Sequence, residues 1–297
     1  MSMNKHLLSK ILLKVEAFPS MPKAGVKLLA LLKEQNAPVA EIEKVLRHDP
    51  GLTTNVLKLA NSAFFGIPLK VGSVKQAFVL LGAKRFTELV LATCTCSVMD
   101  KAIDGYEIPP GELWRHSIEV STAAEALMKY KKIAEPKDIF TPALLHDLGK
   151  LVLGRFVKEE FDRIKSIVAL GVPFEIAENM ALGTDHAEIG AQILSQWSFP
   201  RDVVNAVRFH HNPDAIHNAN IQIDIVYLAN LLCQKNEISD GSERQPLEHS
   251  PAFIKRLGIE PDELAFISGK VVQWIDKLSK KPAVSLDEKN RESFQTI

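Results

Sequence analysis

Five histidines and one aspartate stand out by type and spacing: His116, His146, Asp147, His186, His210 and His211. Imidazole offers a neutral nitrogen ligand near pH 7, and a carboxylate offers an anionic oxygen ligand. Together they suit a divalent transition metal better than calcium or magnesium, which prefer oxygen alone. We expect one ion or two, iron first, with Mn, Ni or Zn as alternatives.

Helical spacing is what turns these groups inward. His116 recurs with Leu113, Val120, Ala124 and Leu127 at intervals of three and four, so it shares an apolar face. His186 does the same with Ile189, Ile193 and Trp197, in the first turn of a helix capped by Asp185 and Glu188. His211 stands four residues from Val207, and His210 three. The His146-Asp147 pair is flanked by Leu144, Leu145, Leu148 and Leu151, so at least one of the two must face the core. A buried imidazole or charge needs a partner there, and a metal supplies one. Any one such histidine is ordinarily a hydrogen-bonded residue, and His6, His48, His217 and His249 are read that way. Five histidines on successive inward faces, one of them next to an aspartate, outweigh that explanation.

The elements that must carry these residues are helical throughout. Apolar periods of three and four predict helices at Leu7–Val15, Val26–Leu32, Val39–Leu46, Leu52–Leu59, Val74–Leu81 and Lys84–Met99. Thr53 or Thr54 is the candidate cap after Asp49-Pro50-Gly51. Asp104 to Gly111, with two glycines and two prolines, reads as a loop and a boundary. Further helices are expected near 112–132, 141–157, 158–170, 174–182, 185–197, 200–211 and 221–235. No strand alternation and no internal repeat is visible. The expected organisation is an N-terminal helical part over 1–104, a helical core with the His/Asp set over 105–235, a C-terminal loop and helices over 236–281, and a disordered tail over 282–297. Within this scheme Asn236–Ser250 is a mobile loop, and Phe253–Leu257 and Asp262–Leu278 are a last helical pair. The Phe64-Phe65-Gly66 loop is expected to pack rather than project.

Composition narrows the function. Hydrophobic residues make up 46% of the 297, enough for a sizeable core. Lys+Arg and Asp+Glu are both 36, so no basic excess recommends a nucleic-acid partner. The short runs at Lys129–Lys132 and Lys280-Lys281 read as solvated faces. Cys94 and Cys96 could be a C-x-C metal pair, but on a helix their thiols diverge by about 200°; we read them as small buried hydrophobes. The N-terminus is amphipathic and lacks a signal-peptide core. No apolar run reaches the roughly 18 residues of a membrane span. These features lead us to expect a cytoplasmic protein.

Several stretches together resemble a known family. They are His48–Thr53 (HDPGLT), Leu59–Phe65 (LANSAFF), Ala77–Gly82 (AFVLLG), Leu144–Leu151 (LLHDLGKL), Asp185–Leu194 (DHAEIGAQIL), Trp197–Pro200 and the His210-His211 pair. In this order they resemble HDOD proteins, the HD-related output domains of bacterial signalling, from about Phe18 to about Leu278. The resemblance implies an all-α, multi-helix, HD-domain-like bundle with an N-terminal helical sub-domain. It also implies the metal chemistry of HD phosphohydrolases. There, residues in the places of His116, His146 and Asp147 hold one ion with a distal aspartate, Asp147 bridges, and residues like His186, His210 and His211 hold a second. Here Asn230 stands where similar enzymes carry that aspartate, and Asp224 points about 120° away from it. The first ion's set is thus one ligand short, and the second is complete.

Two functions follow from the resemblance. The first is a signalling module that binds a partner protein or a small phosphorylated ligand, with metal in support. The second is a metal-dependent phosphohydrolase acting on a nucleotide or other phosphoester, with Asp147 and Lys150 as catalytic candidates, Lys150 neutralising a phosphate. The replaced ligand favours the first. Hydrolysis of cyclic di-GMP is disfavoured, because the residues after the His-His pair, Asn212–Ile216, lack the acidic, glycine-rich G-Y-P segment of the phosphodiesterases that share it.

Overall fold

The computed structural model describes residues 2–32, 38–62, 64–133, 138–216, 220–234 and 251–260, with isolated positions between 263 and 273. The described residues are helical and contain no strand; one isolated bridge pairs Ile103 with Ile108. None of their helices is long and apolar enough to cross a membrane. The expectations for Asn236–Ser250, Pro282–Ile297, His217 and His249 lie outside the described residues, as does most of Asp262–Leu278. The chain forms two compact units. One is built on Ser20–Asp100, and the other combines Met1–Pro19 with Lys101–Ile275.

The Ser20–Asp100 unit holds α2 (Lys23–Leu32), α3 (Val39–Arg47), α4 (Pro50–Ala60) and α5 (Val74–Met99). The buried face of α3 is Ile42, Val45 and Leu46, the three-and-four spacing that defines an amphipathic helix. Asp49, not Thr53 or Thr54, caps α4: its carboxylate accepts from the Leu52 amide at 2.9 Å. Pro50 occupies the first turn, where its missing N–H costs nothing. The two threonine hydroxyls instead donate back to the Leu46 and Pro50 carbonyls. Asn61 closes the following loop by pairing with both backbone groups of Val71. Phe65 is buried and Phe64 half-buried, their rings edge-on at 4.8 Å, with the Arg85 guanidinium 5.2 Å from each. α5 is broken at Gly82 (φ 71°, ψ 171°), so the two helices expected there are separate helical runs. Cys94 and Cys96 are buried within the second. A Cβ on Gly25 would lie 2.4 Å from the Cys94 sulfur, so that thiol fills a packing position. Burial, with Asp49 nearby, pushes it up to about 12.

The larger unit is organised around α13 (Ile221–Gln234), buried at every position from Gln222 to Gln234. α6 (Glu112–Tyr130) packs against it and against α7 (Phe140–Leu145). The α6 face that meets them carries Leu113, His116, Val120, Ala124 and Leu127, all buried. α8 (Lys150–Glu159), α9 (Phe161–Val168), α10 (Phe174–Leu182), α11 (His186–Gln196) and α12 (Arg201–Arg208) follow, and α14 (Pro251–Leu257) covers one end of α13. α1 (Ser2–Glu16) belongs here too, packing Ile11 and Val15 on α8, α10 and α11, while Phe18 meets the Trp197 ring at 5.9 Å.

Candidate metal centre

The sequence predicts one helix over 141–157, but the chain turns at His146–Gly149 between α7 and α8. The cause is steric. A Cβ at position 149 would lie 2.0 Å from the His186 carbonyl oxygen and 2.7 Å from the Gly190 nitrogen, so only glycine lets this turn press on α11. That contact brings Asp147 to His186. α11 starts as the sequence indicates, with Asp185 accepting from the Glu188 amide at 2.8 Å. α12 is shorter than expected: it ends at Arg208, and His210 and His211 lie in the turn beyond it.

Asp147 is central. Its Oδ2 lies 3.0 Å from Lys150 Nζ, 3.3 Å from His146 Nε2 and 3.8 Å from His116 Nε2. Its Oδ1 lies 3.4 Å from His186 Nε2 and 3.7 Å from His210 Nε2. Two overlapping groups result: His116, His146 and Asp147, and Asp147, His186, His210 and His211. Within each group the ligand-type atoms lie within 4.8 Å of one another.

The far sides of three rings are tied down. His146 Nδ1 donates to the Ala143 carbonyl at 2.8 Å, His210 Nδ1 to the Val207 carbonyl at 2.6 Å, and His186 Nδ1 to Glu178 Oε2 at 2.7 Å. Carbonyl and carboxylate oxygens only accept, so each Nδ1 carries a proton and each Nε2 faces Asp147. His146 Nε2, His210 Nε2 and Asp147 Oδ1 are buried with no hydrogen-bond partner. An orphaned buried polar atom costs about 1–3 kcal/mol. Three of them aimed at one place fit a divalent metal, whose ligands are oriented in just this way by hydrogen bonds behind them.

His116 differs. Its Nε2 lies 3.1 Å from Asn230 Oδ1 on α13, and whichever amide atom faces it, that nitrogen is engaged. Asp224, the acid on α13, is committed elsewhere: Arg256 on α14 grips both its oxygens, at 2.6 and 2.9 Å. His186 Nε2 and His211 Nε2 are 2.8 Å apart, so one of them holds a proton between them.

The charges reinforce the arrangement. Burial alone would push the Asp147 carboxyl up, yet His146, Lys150 and His186 hold it well below the usual carboxylate range. Burial would lower His186, but the Glu178 carboxylate raises it to about 9, so an ion binding there displaces a proton from Nε2. Burial and neighbouring imidazoles push His210 and His211 well down, toward the neutral form that a metal requires.

The HDOD domain family model matches residues 18–213. This chain belongs to the HDOD family. The HDOD match contains the five histidines of the centre and Asp147 but stops before α13, so the place of Asn230 rests on its contact with His116. A Treponema pallidum (strain Nichols) protein called uncharacterized is 26% identical over 221 residues, 73% of this chain and 42% of that protein. The chain thus spans less than half the length of that curated relative. Among solved structures, a Shewanella amazonensis SB2B protein provisionally named a phosphohydrolase is 25% identical with a TM-score of 0.70, covering 91% of this chain and 97% of its own. An HDOD domain protein of unknown function from Geobacter sulfurreducens shares the helical fold, with a TM-score of 0.73 at 19% identity over 97% and 98% of the two chains.

Sequence reasoning missed Glu178 and Tyr106. Glu178 is fully buried on α10, accepting from the His186 backbone N–H at 3.0 Å as well as from its ring. The Tyr106 hydroxyl donates to its other oxygen. Tyr106 has no local signal because its partner lies on a distant helix, and Glu178, though near His186 in sequence, sits on a separate helix from it. His48 and His6, read as ordinary residues, are exposed, and the His48 ring contacts the Lys44 carbonyl.

Proposed function

We propose that this HDOD protein is a regulatory module of signal transduction that holds a divalent transition metal at Asp147, His186, His210 and His211, and acts mainly by binding a partner protein or a small phosphorylated ligand. The observation that carries this is Asn230 Oδ1, 3.1 Å from His116 Nε2. Hydrolysis by two ions needs both held about 3.5–4 Å apart. Here the group that would hold one of them has a neutral amide on His116 and the Lys150 ammonium 3.0 Å from Asp147 Oδ2, which leaves His146 Nε2 as its unpartnered ligand. Charge works the same way. Asp147 and Glu178 are opposed by Lys150, which leaves about one negative unit for the whole centre. A second divalent ion would leave about three positive units in a low-dielectric space.

A second reading, a metal-dependent phosphohydrolase, is favoured by Lys150. It is buried, with its ammonium 3.0 Å from Asp147 Oδ2, where it could turn to a phosphate oxygen. The provisional name of the Shewanella relative, at 25% identity, points the same way. A metal in the centre would supply Lewis acidity to a phosphoryl oxygen and make water a stronger acid. The chain itself contributes the Lys150 cation, the oriented imidazoles and a site closed to bulk solvent.

Metal analysis of protein purified without chelator or affinity-resin metal tests the common premise. We expect close to one ion per chain, and protein empty after growth with Fe, Mn, Zn and Ni would overturn both readings. Phosphatase assays with Mn or Fe supplied separate them. Turnover of nucleotides or of cyclic di-GMP near the enzyme median of about 10 per second would reverse our preference.

A further inference from the structure

The segment between Ile103 and Ile108 plays no part in the functions above, yet it is held firmly. Its ends pair by backbone, Ile103 N–H to the Ile108 carbonyl at 2.9 Å and Ile108 N–H to the Ile103 carbonyl at 3.3 Å. Between them a 3-10 turn, Asp104–Tyr106, lies flat against α8. A Cβ on Gly105 would sit 1.9 Å from the Gly154 carbonyl oxygen and 2.7 Å from the Lys158 nitrogen. A Cβ on Gly154 would sit 2.3 Å from the Ile103 side chain. Two glycines thus allow backbone to lie on backbone, and Lys158 and Asp104 add an ion pair at 2.8 Å on the outside.

What this clamp presents is Tyr106. Its ring is edge-on to His186 at 6.3 Å, beside Phe174 at 5.7 Å, and 5.6 Å from the Lys150 ammonium. Its hydroxyl donates to Glu178 Oε1. Glu178 Oε2 takes both N–H groups of His186, backbone and ring. The carboxylate is fully buried, so each of its oxygens depends on these donors. We propose that Tyr106 is a positioning residue of the metal centre: through Glu178 it fixes the ring and tautomer of His186, so that Nε2 is the atom turned to the ion. This inference rests on the metal-binding reading above. Its role is exerted through Glu178, the residue behind the ligand.

The test uses the full chain with Tyr106→Phe, which keeps the ring and removes the hydroxyl, and Glu178→Gln. Long-range 1H–15N correlations of the Zn2+-loaded protein report which His186 nitrogen keeps its proton, assigned by the peaks missing in H186A. Co2+ titration followed by visible absorption reports affinity. In wild type we expect Nδ1–H at His186. Loss of that single tautomer is expected in both variants. Co2+ binding should weaken by about 10–100-fold in Glu178→Gln, the usual range for partners behind a ligand, and by several-fold in Tyr106→Phe. A purely structural role is checked with Phe174→Leu, which loosens packing on Tyr106 but keeps its hydroxyl. It should lower Tm and leave Co2+ affinity within twofold of wild type, and an equal loss of affinity there counts against the proposal. Wild type that binds Co2+ while Tyr106→Phe and Glu178→Gln bind it equally well, with the tautomer kept, overturns this inference alone. Wild type that binds no Co2+ overturns the metal-centre reading, and this inference with it.

Discussion

Asn230 and Asp differ by one atom and one charge, which makes position 230 the sharpest probe of the centre. An aspartate there would set an anionic oxygen near the His116 nitrogen that the amide oxygen now faces at 3.1 Å. It would also offset one further unit of positive charge. Asn230→Asp is therefore expected to raise metal content from near one ion per chain toward two, read by bulk metal analysis or anomalous diffraction, and to raise phosphatase activity if that activity exists. His186→Ala should instead empty the firmer group. A variant with an aspartate at 230 and unchanged stoichiometry would show that ligand chemistry at His116 does not limit loading. His116 and His186 were legible from sequence because an imidazole in step with leucine, isoleucine and valine on a helix face has nowhere to go but inward. Glu178 was not legible. It sits between Ala177 and Asn179, near the exposed Ile176 and Met180, and nothing in that pattern separates a buried carboxylate from a solvated one.

The helices followed from the three-and-four repeat, and most of their misplaced ends share a cause. The stretch from Leu144 to Leu151 is apolar enough to read as one helix. The break at His146–Gly149 is imposed by α11, distant in sequence, against whose backbone Gly149 lies. Likewise the 200–211 repeat continues past Arg208 in sequence but not in backbone, where the His210 ring bonds back to the Val207 carbonyl. Glycines at such contacts can be tested directly. Gly105→Ala would force a methyl into the Gly154 carbonyl, and overpacking of this kind costs typically about 1–3 kcal/mol. The expected outcome is a lower urea midpoint with an unchanged slope. Gly171→Ala, at a positive φ but in open space, serves as the control for backbone strain alone. If the two variants lose equal stability, the close approach to α8 is not what Gly105 is there for.

A ligand that binds only the folded chain also stabilises it. If the centre holds its ion as proposed, removing the metal with a chelator should lower Tm, and adding it back at 100 times its Kd should restore about 2.7 kcal/mol. A melting curve indifferent to chelator and metal would mean that the folded chain has no differential affinity to offer. The layout of the chain bears on how that folded state is reached. α1 lies at the start of the sequence, yet Ile11 and Val15 are buried on α8, α10 and α11, all of which follow Asp100. During synthesis the ribosome must therefore emit roughly 130 residues between α1 and the start of α8, ~7–26 s at ordinary elongation rates, before α1 has any surface to rest on. The intervening stretch, contiguous in sequence, is free to collapse first, while α1 waits as an amphipathic helix with its apolar face in water. A nascent chain arrested near residue 100 should accordingly present α1 to chaperones and proteases, and lose that exposure once α11 has cleared the exit tunnel.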